Sequence, residues 1–390
     1  MAAGTPQRDV PTHASVVIIG GGVIGASVAF HLAEAGVPEV VLLEGGQLAS
    51  GSTSKAAGGV RAQFSDSLNI QLAARSLQAF ERFEQRPGQN VDLRQTGYLF
   101  LLDRNEDVPI FEKSVALQNS LGVNSRMITA TDARRLCPLI ETDGIVAAAY
   151  SPTDGHCTPE SVVLGYATAA RRLGATIVSR GPGTGIEVVG GEIVAVLTDP
   201  QRVATSVVIC AAGAWSRLVG DMAGVDLPVD PYRRQILYTS AVPGLPENLP
   251  MTIDFSSTFY FHGEGGGLLL GMSDPDETAG FKLTMSDAWL DRLASVMAVR
   301  APQITDMPMA GGWAGLYEVT PDHNAIIGES KRPTRFLYAT GFSGHGFLMG
   351  PAVGEVMRDL YLGASPFVDI SPLSVERFTE SRSRPEVNII

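Results

Sequence analysis

Cysteine is scarce in this chain. Cys137, Cys157 and Cys210 are odd in number, far apart and without a C-x-x-C, which excludes a disulfide framework or cysteine-bound metal cluster. A reducing compartment fits, and the cytoplasm is the expected location. Histidine adds little: His13, His31, His156, His262, His323 and His345 contain no i,i+3 or i,i+4 pair, so no metal site is expected. No apolar run approaches the roughly 20 residues of a membrane span. Positive charge is outweighed, with 29 Lys+Arg against 41 Asp+Glu and a net charge of −12, which argues against nucleic acid or an anionic membrane as partner. Residues 1–13 lack a basic stretch before an apolar core and read as a disordered polar leader, not a signal peptide. What is present is globular: 390 residues, 45% hydrophobic and 18% charged, enough for roughly two to three domains with a sizeable core.

One stretch carries the strongest signal. Val16-Val17-Ile18-Ile19 reads as a buried strand and runs into Gly20-Gly21-Gly22-Val23-Ile24-Gly25, after which a helical pattern ends near Gly36. A second strand, Val40–Leu43, then closes on Glu44, 19 residues after Gly25. This is the order a dinucleotide-binding βαβ unit requires. Gly20 permits the tight turn, Gly22 lets backbone approach a pyrophosphate, and Gly25 lets the helix pack closely on the strand. The N–H groups at Val23 and Ile24 begin the helix that faces the phosphates. Glu44 supplies the acceptor for a ribose hydroxyl.

Further along, Asp66 reads as the N-cap of a helix to about Gln85, with helices also expected at 107–122, 131–136, 159–173 and 286–299. Strands are expected at 96–102, 176–179 and 193–197, and a hairpin pairs Thr258–His262 with Leu268–Met272. On that hairpin Tyr260 and His262 share one face, and Phe259 and Phe261 the other. Ser206–Cys210 is a second buried strand that ends in a glycine turn, Ala212-Gly213-Ala214-Trp215. That turn serves either a second close approach to the cofactor or an ordinary βα connection. Near the C-terminus, Gly341-Phe342-Ser343-Gly344-His345-Gly346-Phe347 opens a helix whose N–H groups can face developing negative charge. A nicotinamide enzyme has no use for such a loop there. A flavin, anionic along one edge on reduction, does.

The order of these motifs resembles the D-amino acid oxidase superfamily of FAD-dependent oxidoreductases. The fingerprint at 20–44, the small-residue loop at 51–61, the turn at 212–215, Trp313–Asp322 and Gly341–Phe347 carry the resemblance over nearly the whole chain. It is strongest to the sarcosine oxidase and dimethylglycine dehydrogenase branch, and the Ser343–Phe347 tail is especially similar to the catalytic (beta) subunits of dye-linked L-proline dehydrogenases. The resemblance implies an α/β fold: a discontinuous Rossmann-like FAD-binding domain (14–94, 148–225 and 318–390) with an inserted antiparallel β-sheet substrate domain (95–147 and 226–317). It implies hydride transfer from an amine carbon to flavin N5 and hydrolysis of the resulting imine. It assigns FAD contacts to Gly51, Ser52, Thr53, Lys55, Gly58, Gly59 and Val60, to Ala212, Gly213 and Trp215, to Gly315, and to Gly344, His345, Gly346, Phe347 and Leu348. Arg61 matches the position that holds a substrate carboxylate, for which a planar guanidinium is suited. Its alternative is an arginine of the flavin loop or surface. Tyr260 matches an active-site tyrosine or packs in the sheet, and His345 is an electrostatic partner of the flavin or a cap of its loop.

Four departures qualify the match. Leu348 replaces a carboxylate-pairing lysine, and Leu269 replaces the oxygen-activating lysine of monomeric sarcosine oxidases. Gly315 and Lys55 occupy the positions of a flavin-linking cysteine and histidine, so non-covalent FAD is expected. The reading is a dehydrogenase for a secondary amine or α-amino acid, passing electrons to a quinone, a dye or an electron-transfer protein. The alternatives are a D-amino acid or glycine oxidase using O2, a hydroxy-acid enzyme, an NAD-dependent dehydrogenase, and an FAD-binding assembly protein without turnover.

Overall fold

The computed structural model describes residues 10–388. Its centre is a six-stranded, mainly parallel sheet built on Val16–Ile19, which pairs in parallel with Val40–Glu44 on one side and Val208–Cys210 on the other. Thr176–Ser179 extends one edge, and Phe336–Thr340 and Ile326–Glu329 extend the other. The period of two along the first strand sorts its side chains between two cores. Val16 and Ile18 face the helices, whereas Val17 and Ile19 face a small three-stranded sheet spanning residues 185–204. The helix Val23–Glu34 is buried from Val23 to Ala33, held between helices Pro159–Arg172 and Gly346–Leu362. An amphipathic stripe is therefore not needed there. Every face of this helix is interior, and its two buried polar residues, Ser27 and His31, hydrogen-bond to one another within it.

The second body is an eight-stranded mixed sheet to which five segments of chain contribute: Tyr98–Leu102, Arg126–Ile128, Ala147–Ser151, Asp230–Met272 and Met309–Val319. The expected hairpin forms as Phe259–Glu264 against Gly267–Met272, with Phe259 and Phe261 in the core beneath the helix Asp287–Arg300. Asp66 caps the helix Ser67–Glu81 as expected, accepting from Leu68 N and Asn69 N.

Two boundaries differ from the sequence reading. Ala147–Ser151 pairs with Tyr98–Leu102 and Arg126–Ile128 in the eight-stranded sheet, so the expected break between 147 and 148 cuts a strand. Met309–Val319 likewise continues through the break placed at 317. Strand membership is decided by partners far away in sequence, which no local signal announces. Of the expected leader, residues 1–9 lie outside the described residues, while Thr12 and His13 are paired with Ala204 at the edge of the three-stranded sheet and so are not disordered. Among the described residues no helix is long and apolar enough to cross a membrane.

Candidate active site

A cleft of about 610 Å3 runs along the C-terminal ends of the central strands, the place where an open α/β sheet binds its ligand. Gly20, Gly22, Val23, Ile24 and Glu44 line it. Gly25 does not. A Cβ there would stand 1.8 Å from Gly20 O, so this glycine serves helix–strand packing. Gly20 adopts φ +114°, which few side chains tolerate. No side chain of Gly22 can cap the helix; Thr53 Oγ1 instead accepts from Val23 N at 3.1 Å. The Glu44 carboxylate is pinned at both oxygens, accepting from Gly21 N at 2.7 Å and Gly46 N at 2.6 Å. It is thereby held at the cleft wall, where it can receive a ribose hydroxyl. Glu44→Ala should weaken FAD retention by roughly 1–3 kcal/mol, the scale of a charge-assisted hydrogen bond. Gel filtration at rising dilution checks this, and full flavin occupancy in the variant would contradict it.

The loop after the second strand contributes Gly51, Ser52, Thr53 and Lys55 to the cleft, and the turn after Val208–Cys210 contributes Ala212, Gly213 and Trp215. Of the alternatives for that turn, the geometry brings it to the cleft. Gly315, Gly344, Gly346 and Phe347 close the far end. Gly58, Gly59, Val60, His345 and Leu348 do not line the cleft. Gly58 adopts φ +75° against Cys157 O, Gly59 abuts the Tyr98 hydroxyl, and Val60, His345 and Leu348 are buried behind the wall. Two buried polar atoms at the cleft, Ser52 Oγ and Arg234 Nε, have no protein partner. Together with a helix N-terminus reached over bare glycine, these two partnerless polar atoms in a largely apolar lining fit a dinucleotide.

Arg61 lies behind the C-terminal glycine loop, 1% exposed. Its Nη2 is 3.3 Å from His345 Nε2 and donates to Asn388 O at 2.6 Å, while Nη1 donates to Gln63 O. The guanidinium sits 4.1 Å over the Phe64 ring and 5.4 Å from that of Phe100. Burial pulls its pKa down, and Tyr98, Glu386 and Asp154 draw it back up; an arginine stays protonated regardless. Burial first, then repulsion from Arg61, holds the His345 pKa far below its usual range. The ring is therefore neutral, and its Nε2 can accept from Arg61. Tyr260 lies outside the cleft wall, opposite Gly271 on the neighbouring strand; burial, then the nearby Tyr317 and Tyr98, raise its phenol. Arg61 and His345 thus come together, and Tyr317, a cleft residue, lies near both Arg61 and Tyr260.

Three residues of the site carried no assignment from sequence. Tyr317 and Glu318 belong to a quoted motif without a stated role, and both line the cleft. Glu318 accepts from Thr340 Oγ1 at 2.9 Å and Gly341 N at 3.1 Å, and burial raises its pKa to about 7. Arg234 reaches the cleft because its strand pairs it with Gly315, and it lies 4.8 Å over the Tyr317 ring. Only that cross-strand register could have revealed it.

A glycine-lined cleft of this kind at the strand ends of a parallel sheet, with a mixed sheet beside it, is that of a dinucleotide-binding protein. The FAD dependent oxidoreductase (DAO) family matches residues 15–360. The chain belongs to that family, and its cofactor is FAD. It is similar to L-proline dehydrogenase from P. horikoshii, with a TM-score of 0.90 and 31% identity over 96% of this chain and 100% of that one. It is 30% identical to mitochondrial dimethylglycine dehydrogenase of Rattus norvegicus over 94% of this chain, and to 4-methylaminobutanoate oxidase (formaldehyde-forming) of Paenarthrobacter nicotinovorans over 97%. The chain spans only 45% and 47% of those two relatives.

Proposed function

We propose that this protein is a dehydrogenase for a secondary amine or α-amino acid of the sarcosine, proline or N-methyl amino acid kind. The six-stranded body would hold FAD, and the eight-stranded sheet would supply the substrate side. The observation that carries the reading is the placement of Arg61, a buried guanidinium joined through His345 to the glycine loop that closes the FAD cleft. When bound, FAD supplies the acceptor for the hydride of the α-carbon, and the product imine hydrolyses. The chain's own residues bind and orient. Arg61 anchors the carboxylate, neutral His345 holds the guanidinium without competing for an anion, and Phe64 and Phe100 exclude water. Apolar surroundings for the substrate would also favour the neutral amine, the form that can be oxidised. Similarity to enzymes named for dimethylglycine, 4-methylaminobutanoate and L-proline supports this substrate class.

The electron acceptor is taken to be a quinone, a dye or an electron-transfer protein. Leu269, 5% exposed, is apolar where monomeric sarcosine oxidases carry a lysine, so it offers no positive charge to developing superoxide. Anaerobic mixing with a panel of amino acids and N-methyl amines should bleach the flavin, and a quinone or dye should reoxidise it faster than air. If no amine bleaches it, an FAD-binding assembly protein is the better reading. Rapid reoxidation by air with stoichiometric peroxide would leave an oxidase.

FAD should be held without a covalent bond. Lys55 and Gly315 face one another closely: a Cβ on Gly315 would stand 2.5 Å from Lys55 Cβ. Neither offers a thiolate or an imidazole. Acid precipitation should leave the yellow colour in the supernatant, and flavin in the pellet would contradict this.

A further inference from the structure

Two histidines far apart in the chain meet at the seam between the two bodies. His156 ends the two-residue strand Gly155–His156, which pairs with Gly59–Val60, the lead-in to Arg61. His262 and Glu264 stand two residues apart on Phe259–Glu264 and so leave the eight-stranded sheet on one face. The two imidazole centroids are 4.3 Å apart, with His156 5% and His262 0% exposed. One atom from each ring and a Glu264 carboxylate oxygen all lie within 4.8 Å of one another.

The hydrogen bonding of this pair is unusual. Nδ1 of His262 lies 2.9 Å from Gly263 O, and Nε2 lies 2.9 Å from Ala57 O. A neutral imidazole has one N–H, so one of the two nitrogens turns its lone pair toward a carbonyl oxygen. Two acceptors hold such a contact when positive charge lies beside them. A metal ion between that lone pair and the carbonyl oxygen supplies the charge and binds the neutral imidazole.

We propose that His156, His262 and Glu264 bind a divalent transition-metal ion of the zinc class, which ties the strand leading into Arg61 to the substrate-side sheet. Two imidazoles and a carboxylate are a zinc ligand set that leaves a coordination position for water or a further oxygen donor. The Ala57 carbonyl beside His262 Nε2 is such a donor. Glu264 is exposed and gives the ion a route from solvent. Asp92 and Glu160 add negative charge around Glu264, and Arg94 opposes them. The proposal concerns the seam and does not depend on which amine the enzyme oxidises.

The test uses untagged, FAD-loaded protein treated with a chelator and titrated with Co2+. One equivalent should bind with the visible d–d absorption of a four- or five-coordinate ion, and Zn2+ should displace it and raise Tm. His156→Gln should abolish the bands. Glu264→Gln lies at an exposed position and should spare the fold, which an unchanged flavin spectrum verifies. It should weaken Co2+ binding by at least about tenfold, the lower end of what losing even an outer-shell partner costs. Absence of d–d bands in the stripped wild-type protein, or bands that persist in both variants, would overturn the site. A Tm indifferent to Zn2+ would overturn the tying role.

Discussion

Arg61→Gln should raise the KM for an amino-acid substrate by about 30-fold to several thousand-fold, while the flavin spectrum stays intact. The range corresponds to roughly 2–5 kcal/mol for losing one partner of a buried, hydrogen-bonded charge pair. The guanidinium is 1% exposed and sits against Phe64, so little water is present to screen the contact. Part of the effect will be structural, because Gln63 O and Asn388 O both accept from this side chain. Two controls separate the contributions. Arg61→Lys keeps a charge but loses the planar fork and should recover only part of the affinity. The decarboxylated amine, which has nothing for Arg61 to hold, should show only the structural part of the effect. An unchanged KM for the amino acid would remove Arg61 from the site.

Gly25→Ala and Gly22→Ala should both cost FAD, for different reasons. A methyl on Gly25 would stand 1.8 Å from Gly20 O, a backbone atom that cannot yield without shifting the turn or the helix. The helix is buried along its length, so the shift propagates into the core. The variant should lose bound flavin and thermal stability together. Gly22 has φ −77°, open to any residue, and its added methyl would stand 3.1 Å from Thr53 Oγ1. That contact is tight but lies on a side chain. Gly22→Ala should therefore fold, with far-UV circular dichroism unchanged, and yet retain little flavin, because the methyl enters the space a pyrophosphate needs. Full flavin retention by Gly22→Ala would show that the backbone does not approach the cofactor there.

The fingerprint was legible because its pattern is local. Strand, turn, helix and acid follow one another within residues 16–44, and Gly25 answers to Gly20 O close by, although the atoms that crowd Gly20 belong to the distant Ala211 and Ala212. The helix capped by Asp66 and the hairpin at Phe259–Met272 were legible for the same reason: capping residues and a period of two are written over a few positions. The loop at 51–61 was read as one cofactor segment. The structure divides it, sending Gly51, Ser52, Thr53 and Lys55 to the cleft and Gly58, Gly59 and Val60 behind its wall.

By itself, then, the sequence determined the dinucleotide turn, its partner acid and the α/β character of the chain, since short-range sterics and hydrophobic period decide these before any distant contact forms. Only the tertiary structure decided that Ala147–Ser151 joins the eight-stranded sheet, that Arg234 reaches the cleft opposite Gly315, and that His345 meets Arg61. It alone brought His156 within reach of His262. Each of these depends on sheet register or on packing between segments scores to hundreds of residues apart, where the side chain's direction is set by its partner strand and not by its neighbours in sequence.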